Sequence, residues 1–129
     1  MSPKLFHAKT AAELIKRDFP EFADDGIVEA VRYHTTGRRG MSHFEGLLYL
    51  ADYIEETRKF EDCIELRRFF WDAVGEGRDT LETIYVRTMI RSFDMTVGSL
   101  ISENMPIDKD TIDARNYFLE IFKERSDEI

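Results

Sequence analysis

Apolar residues recur every three or four positions along almost the whole chain. Short breaks separate these stretches, at Pro20, at residues 35–40, at residues 75–77 and at Pro106. A spacing of three and four places side chains on one face of a helix, whereas a half-buried strand requires strict alternation. No segment sustains that alternation. The sequence therefore predicts an all-α fold of about six helices.

Capping signals indicate where the first three helices begin. Ser2-Pro3 is typical of an N-cap followed by proline at the first helical position. Asp24-Asp25 precedes a second, short helix, and Ser42 with Glu45 forms a capping box for the third. The apolar stripe of the third helix is predicted to face the centre of the core. It contains Phe44, Leu47, Leu48, Ala51 and Ile54.

Three more helices are predicted in the second half of the chain. The fourth stops at Gly75-Glu76-Gly77, and the long fifth helix runs from about Asp79 to about Ser102. Asp108 or Asp110 caps the last helix. A length of 129 residues fits one compact domain, so residues 1–129 are expected to form a single unit.

Charge and cysteine content limit the partners and the location of the protein. The formal net charge is -8 at pH 7. Duplex nucleic acids and anionic membranes recruit clustered Lys and Arg, so neither is an expected partner. Small phosphorylated ligands remain possible. The single cysteine, Cys63, excludes an internal disulfide and fits a reducing cytoplasm.

Asp52 is the first candidate for a functional residue. It lies among apolar residues of the predicted third helix. Burying an unpaired carboxylate is costly, so an Asp in such a position needs a partner, either a metal ion or a basic side chain. The alternative is an acid at the edge of the stripe, solvated or paired with Arg58. Spacing alone favours this alternative.

His34 is the second candidate, at the end of the second helix. Imidazole can bind a metal, donate to a phosphate or move a proton near neutral pH. The turn Thr35-Thr36-Gly37 that follows offers hydroxyls and backbone N–H groups to a phosphate, and Arg38 and Arg39 add positive charge. The alternative is a histidine that interacts with the helix dipole, followed by an ordinary loop.

The remaining candidates are each ambiguous when taken alone. His7 lies within the first helix, where a lone histidine is more often a core or boundary residue than a ligand. Arg58 follows Asp52 by six residues and can hold a phosphate in a bidentate manner or remain a solvated charge. Arg115-Asn116 on the last helix has the same ambiguity.

Together these segments resemble a known family. The segments Tyr33-His34-Thr35-Thr36-Gly37, Leu50-Ala51-Asp52-Tyr53-Ile54-Glu55 with Arg58, and Thr111-Ile112 with Ala114-Arg115-Asn116 occur in order at suitable separations. They are similar to the C-terminal part of the YqeK family of HD-domain hydrolases. Pro3-Lys4-Leu5-Phe6-His7-Ala8 resembles the segment that precedes these motifs. The resemblance covers nearly the whole chain.

The resemblance implies an HD-domain-like helical bundle and a metal-dependent hydrolase, with iron as the metal. Family members split diadenosine tetraphosphate symmetrically into two ADP. By similarity, Asp52 would be the final metal ligand, and Asp52 and His34 would be catalytic. The residues expected around the nucleotide or its phosphates are His7, His34, Thr35, Arg58, Thr111, Arg115 and Asn116.

The chain also departs from the family pattern. A complete HD site needs an upstream His and a His-Asp pair, but none of His7, His34 and His43 precedes an Asp. The expectation is therefore an N-terminally truncated, partial HD domain with little metal-dependent activity alone. Loss of core helices would expose apolar surface and favour a homodimer or a partner chain that supplies the missing helices.

Two other functions remain open at this stage. The chain could bind ADP-like ligands without hydrolysing them, through His34, Thr35, Arg58 and Arg115. It could also be a helical oligomerisation module that binds neither metal nor nucleotide.

Overall fold

The structure, a computed structural model, describes residues 3–22 and 24–127. The side chains of residues 3–10, 22, 25, 126 and 127 lie outside that description. Six α-helices and no strand occur in the described part, which confirms the all-α prediction. The helices are α1 (Pro3–Asp18), α2 (Asp25–Arg32), α3 (His43–Tyr53), α4 (Glu61–Glu76), α5 (Leu81–Ser102) and α6 (Lys109–Asp127), with a 3₁₀ turn at Pro20–Phe22 between α1 and α2.

Local hydrogen bonds account for the helix ends. Asp24 accepts from the Ile27 N–H group at the start of α2, and Ser42 Oγ accepts from the Glu45 N–H group at the start of α3. Gly77 ends α4 in the left-handed conformation that glycine adopts without strain. The Asp108 carboxylate accepts from the Asp110 N–H group ahead of α6. Ser2, the predicted cap of α1, lies outside the described residues.

Helix α5 organises the core, since it packs against both α4 and α6. Its fully buried residues include Met89 and Phe93. The Phe93 ring lies 5.0 Å from the Tyr49 ring of α3 and 6.0 Å from the Phe118 ring of α6. An aromatic cluster therefore joins three helices. Helix α1 packs against α2, and α2 packs against α3.

Helix α3 uses a different face from the one that its apolar stripe predicted. Phe44 and Leu47 are 55% and 56% exposed, and Ala51 is also exposed. The buried residues are Glu45, Gly46, Tyr49 and Leu50. The stripe prediction was wrong for Phe44, Leu47 and Ala51, because Tyr49 occupies the side towards α5. Ile54, at the end of the stripe, does pack against the core. Association with a second copy or a partner chain stays a prediction.

Gly37 fixes the path of the loop that leaves α2. Its φ angle is 70°, and its N–H group donates to the Tyr33 carbonyl over 2.8 Å. A Cβ atom at this position would lie 2.8 Å from the Phe93 ring. Only glycine therefore lets the backbone lie directly against the Phe93 ring. This close approach fixes the loop that also carries His34 and Thr35.

No helix within the described ranges combines the length and the apolar character needed to cross a membrane.

Candidate functional site

One cavity brings most of the predicted residues together. Its volume is about 1060 Å³, at the upper end of the roughly 300–1,000 Å³ typical of small-molecule sites. Five of the predicted site residues line it, from the loop after α2, from α3, from the turn after α3 and from α6. These residues are His34, Thr35, Asp52, Arg58 and Thr111.

His34 presents one ring nitrogen to a backbone carbonyl. Its Nδ1 atom lies 2.6 Å from the Val31 carbonyl oxygen. A carbonyl oxygen only accepts, so Nδ1 carries the proton and Nε2 is the acceptor in the neutral ring. This bond orients the imidazole at the helix end, as the dipole alternative suggested. It also leaves Nε2 to bind a ligand or to accept a proton.

Thr35 has a buried hydroxyl with no hydrogen-bond partner among the described atoms. Buried polar atoms are normally paired, so the Thr35 hydroxyl is an unmet hydrogen-bonding group in a residue that lines the cavity. Thr111 differs, because its hydroxyl donates to the Thr36 carbonyl over 3.0 Å. That bond ties α6 to the loop carrying His34 and Thr35, so Thr111 supports the cavity wall that it also lines.

Asp52 and Arg58 form an ion pair at the cavity. Arg58 Nη2 donates to Asp52 Oδ1 over 2.8 Å, and both side chains are partly exposed. Asp52 is therefore neither desolvated nor unpaired, which is the alternative that its spacing favoured. The pair also places a guanidinium beside the cavity, where it can exchange its carboxylate partner for a phosphate.

Two tyrosines extend the polar wall. Tyr49 and Tyr53 both line the cavity, and burial raises the pKa of each phenol above its usual value. Both phenols are therefore protonated at neutral pH. The Tyr49 hydroxyl is hydrogen-bonded to the Ser92 hydroxyl, 3.1 Å away, within the core.

The charge of the cavity wall is mainly negative. Four carboxylates line it, and Arg58 is the one permanently charged base in the described lining. The carboxylates belong to Asp52, Glu61, Asp62 and Asp108. A polyphosphate would be repelled from such a surface unless a cation accompanied it. The opposite wall is apolar and includes Leu100, Met105, Pro106 and Ile107.

Other predicted residues lie away from the cavity or are committed elsewhere. Arg115 and Asn116 do not line it, and Arg115 pairs with Asp94 over 2.8 Å. The side chain of His7 lies outside the described residues. Arg38 and Arg39, expected to add charge near His34, instead bind Glu45 and Glu120. The expectation for these two arginines was wrong, because neighbouring helices supply their carboxylates.

Arg67 is a residue that the sequence reasoning missed. Its guanidinium donates to three backbone carbonyls in the segment that carries Arg58. In the sequence it is one of two adjacent arginines on an amphipathic helix, a pattern typical of a solvated surface. No local signal distinguishes it from Arg68, since its partners lie 9 to 13 positions earlier in the chain.

The donors in the described part of the chain do not fit a complete metal site. No group of three or more His, Cys, Asp or Glu side chains comes together there in a way that could hold a metal ion. Asp52, the predicted ligand, is paired with Arg58 instead. Four carboxylates and His34 line the cavity, but the described side chains are not grouped closely enough to provide the ligand set that a catalytic divalent metal requires.

The helical architecture and this cavity place the chain in the class of HD-domain-like proteins. A solved structure from Clostridium acetobutylicum, described as a predicted HD superfamily hydrolase involved in NAD metabolism, superposes with a TM-score of 0.70. It is 32% identical and covers 88% of this chain and 54% of the other. The HD-domain-like fold predicted from the sequence is therefore confirmed. Similarity to a hydrolase of the HD superfamily implies a divalent metal ion as the cofactor.

Curated proteins identify the branch more closely. Proteins named symmetrical bis(5'-nucleosyl)-tetraphosphatase match this chain in Bacillus subtilis (35% identity over 118 residues) and in Halalkalibacterium halodurans (32% over 116 residues). The alignments cover 92% and 90% of this chain, but 57% and 56% of those proteins. No protein-family model matches. The chain is a homologue of these tetraphosphatases, as its YqeK-type motifs predicted, and spans little more than half their length.

Proposed function

We propose that this chain forms the nucleotide-binding part of a metal-dependent HD-type hydrolase that splits dinucleoside tetraphosphates symmetrically. Diadenosine tetraphosphate is the substrate and two ADP are the products. The observation that carries the proposal is the convergence of His34, Thr35, Asp52 and Arg58 on one cavity. The names of the homologues and of the structural neighbour support the reaction class.

Each residue has a distinct part in the proposed site. Arg58 binds phosphate oxygens, and the unpaired hydroxyl of Thr35 does so after a small local movement that exposes it. His34 binds through Nε2 or transfers a proton there. By the family resemblance, Asp52 would be one of the residues that hold the metal, and its carboxylate would be released for this if phosphate took its place beside Arg58. Thr111 supports the loop and lines the nucleotide site. From the family resemblance, His7, Arg115 and Asn116 are also proposed to lie around the nucleotide or its phosphates.

The negative cavity wall supports the need for a divalent cation. The described lining contains one guanidinium and four carboxylates, so a bound cation would offset the repulsion between these carboxylates and phosphate. Iron is the metal that we propose from the family resemblance. The ligands beyond Asp52 must then come from outside the described side chains. A cytoplasmic location is proposed with it, and the single cysteine supports a reducing compartment.

Replacing Arg58 with alanine is expected to weaken ADP binding. A lost charge-assisted hydrogen bond to phosphate removes about 1.5–3 kcal/mol, which is about tenfold to a hundredfold in affinity. Isothermal titration of ADP with Mg²⁺ present measures the change. Arg68→Ala is the matched control, because Arg68 is exposed on α4 and does not line the cavity. Equal affinities for the wild type and Arg58→Ala would contradict the proposed site.

The chain alone is expected to hydrolyse little or no diadenosine tetraphosphate in the presence of Fe(II). The reason is that the described side chains around Asp52 do not form a complete set of metal ligands. A metal must be held by such a set to activate water. The assay follows ADP by chromatography and determines iron in the same sample. ADP production together with stoichiometric iron would show that a working site forms from these residues, within one copy or between two. ADP binding without hydrolysis is the result that the proposal expects.

A further inference from the structure

The guanidinium of Arg67 is bound entirely to backbone oxygen atoms. Nε donates to the Ile54 carbonyl over 2.9 Å, and Nη2 donates to the carbonyls of Glu55 (2.8 Å) and Arg58 (2.7 Å). No carboxylate among the described side chains lies within ion-pair distance of Arg67. A charged side chain is thus used to hold a short stretch of main chain.

These carbonyls lie where α3 ends and the next turn begins. Ile54 is the C-cap of α3, and the last carbonyls of a helix have no partner within it. A cation at that position is favoured by the helix dipole. The planar, forked guanidinium can satisfy several carbonyls at once, which a single ammonium group cannot do equally well.

The turn that Arg67 holds carries Arg58. The Arg58 N–H group donates to the Glu55 carbonyl over 2.9 Å, and Arg67 binds the carbonyls at both ends of this turn. The side chain of Arg58 then reaches Asp52 over 2.8 Å at the cavity. Arg67 does not line the cavity itself. Its effect on a ligand must therefore pass through the main chain of residues 54–58.

We propose that Arg67 is a positioning residue that locks the turn 55–58 and so holds the Arg58 guanidinium beside Asp52, ready for a phosphate group. Without Arg67, the turn would gain conformational freedom, and phosphate binding would have to restore the order that Arg67 now maintains. The consequence for nucleotide binding rests on the proposed function, whereas the locking of the turn does not.

The test compares Arg67→Met, which keeps the length of the side chain, with Arg67→Lys and with Arg68→Met. Arg68 is the exposed neighbour on the same helix and has the same charge. Amide hydrogen exchange, measured by NMR, reports the bond from the Arg58 N–H group to Glu55. Exchange at this amide is expected to rise about tenfold or more in Arg67→Met, as local opening becomes easier. Arg67→Lys should be intermediate and Arg68→Met unchanged.

ADP titration then separates the two parts of the inference. Arg67→Met is expected to weaken ADP binding by about tenfold, and adding Arg67→Met to Arg58→Ala should cause almost no further loss, because both act through the same guanidinium. Core amides of α5 report global unfolding. If the exchange rates of these core amides rise together with that of the Arg58 amide, Arg67→Met has destabilised the whole fold. Exchange at Arg58 and ADP affinity are then compared between the wild type and Arg67→Lys.

Unchanged amide exchange at Arg58 in a folded Arg67 variant would contradict the proposal that Arg67 holds the turn 55–58. Faster exchange with unchanged ADP affinity would overturn the positioning role. If the wild type binds no ADP, the proposed function fails, yet the exchange measurement still decides whether Arg67 holds the turn.

Discussion

Replacing Arg38 with methionine is expected to reduce the free energy of unfolding by about 1–3 kcal/mol, because it leaves the buried Glu45 carboxylate without its hydrogen-bond donor. The Arg38 side chain is itself 32% exposed, so only one side of the ion pair is buried. Arg38 binds both carboxylate oxygens of Glu45, over 2.7 and 2.6 Å. Glu45 is only 3% exposed, so the substitution leaves a charge without its partner in the protein interior. This hydrogen bond also raises the pKa of the Arg38 guanidinium. Urea denaturation at neutral pH measures the loss.

The next residue provides a matched control. Arg39 pairs with Glu120 over 2.6 Å, but both side chains are more than half exposed. Such pairs contribute about 0–1 kcal/mol, so Arg39→Met should change stability little. Combining Arg38→Met with Glu45→Met should restore much of the loss, since no unpaired charge then remains buried. Equal effects of Arg38→Met and Arg39→Met would contradict this account.

The ion pair between Arg38 and Glu45 also shows what local sequence signals cannot predict. Ser42 and Glu45 predicted the start of α3, and the Ser42 cap is present because it depends on residues three positions apart. In a capping box the Glu carboxylate returns to the cap residue. Here that carboxylate binds Arg38 instead. The helix start followed from local chemistry, whereas the role of Glu45 depended on how the preceding loop folds over α3.

The face of α3 that is buried could not be predicted from local sequence either. Periodicity identifies the apolar residues Phe44 and Leu47, but the side that packs depends on what the neighbouring helix presents. Gly46 and Tyr49 face α5, so Phe44 and Leu47 lie on the outer side of α3. The motif resemblance grouped five residues that do line one cavity, because it carried three-dimensional information that spacing lacks, whereas Arg115 and Asn116 lie elsewhere. The functional roles of these residues stay predictions.

Arg67 illustrates the remaining limit. Its partners are backbone carbonyls, which leave no trace in the sequence, and they lie in another helix end and turn. The same pattern of charged residues occurs on solvated helix surfaces and on helices whose side chains bind the backbone of a neighbouring element. Only the contact of the Arg67 side chain with the end of α3 distinguishes the two.

Replacing Gly46 with alanine is expected to destabilise the fold by about 3 kcal/mol, the upper part of the usual range for overpacking a core. The added Cβ atom would lie 1.7 Å from the Tyr85 hydroxyl oxygen and 2.8 Å from the ring carbon that carries it. Tyr85 is buried, so α3 and α5 must move apart or the ring must leave its position. Thermal and urea denaturation should both show the loss.

Gly98→Ala is the control for this substitution. Gly98 lies within α5, and a Cβ atom there would meet nothing within 4 Å. Alanine is the better helix former, so Gly98→Ala should stabilise the protein by about 0.5–1 kcal/mol. Opposite signs at two helical glycines would establish that contact with Tyr85, and not helix propensity, decides the effect at Gly46.

Tyr85→Phe tests the same contact from the other helix. The Tyr85 hydroxyl is buried and has no hydrogen-bond partner among the described atoms, so removing it should cost nothing and can recover part of an unmet desolvation cost of about 1–3 kcal/mol. In the double variant with Gly46→Ala, the 1.7 Å contact disappears but the 2.8 Å contact with the ring remains. The rescue should therefore be partial. A Tyr85→Phe variant that is clearly less stable than the wild type would mean that the hydroxyl is hydrogen-bonded, and that α3 and α5 are held together there by a polar contact.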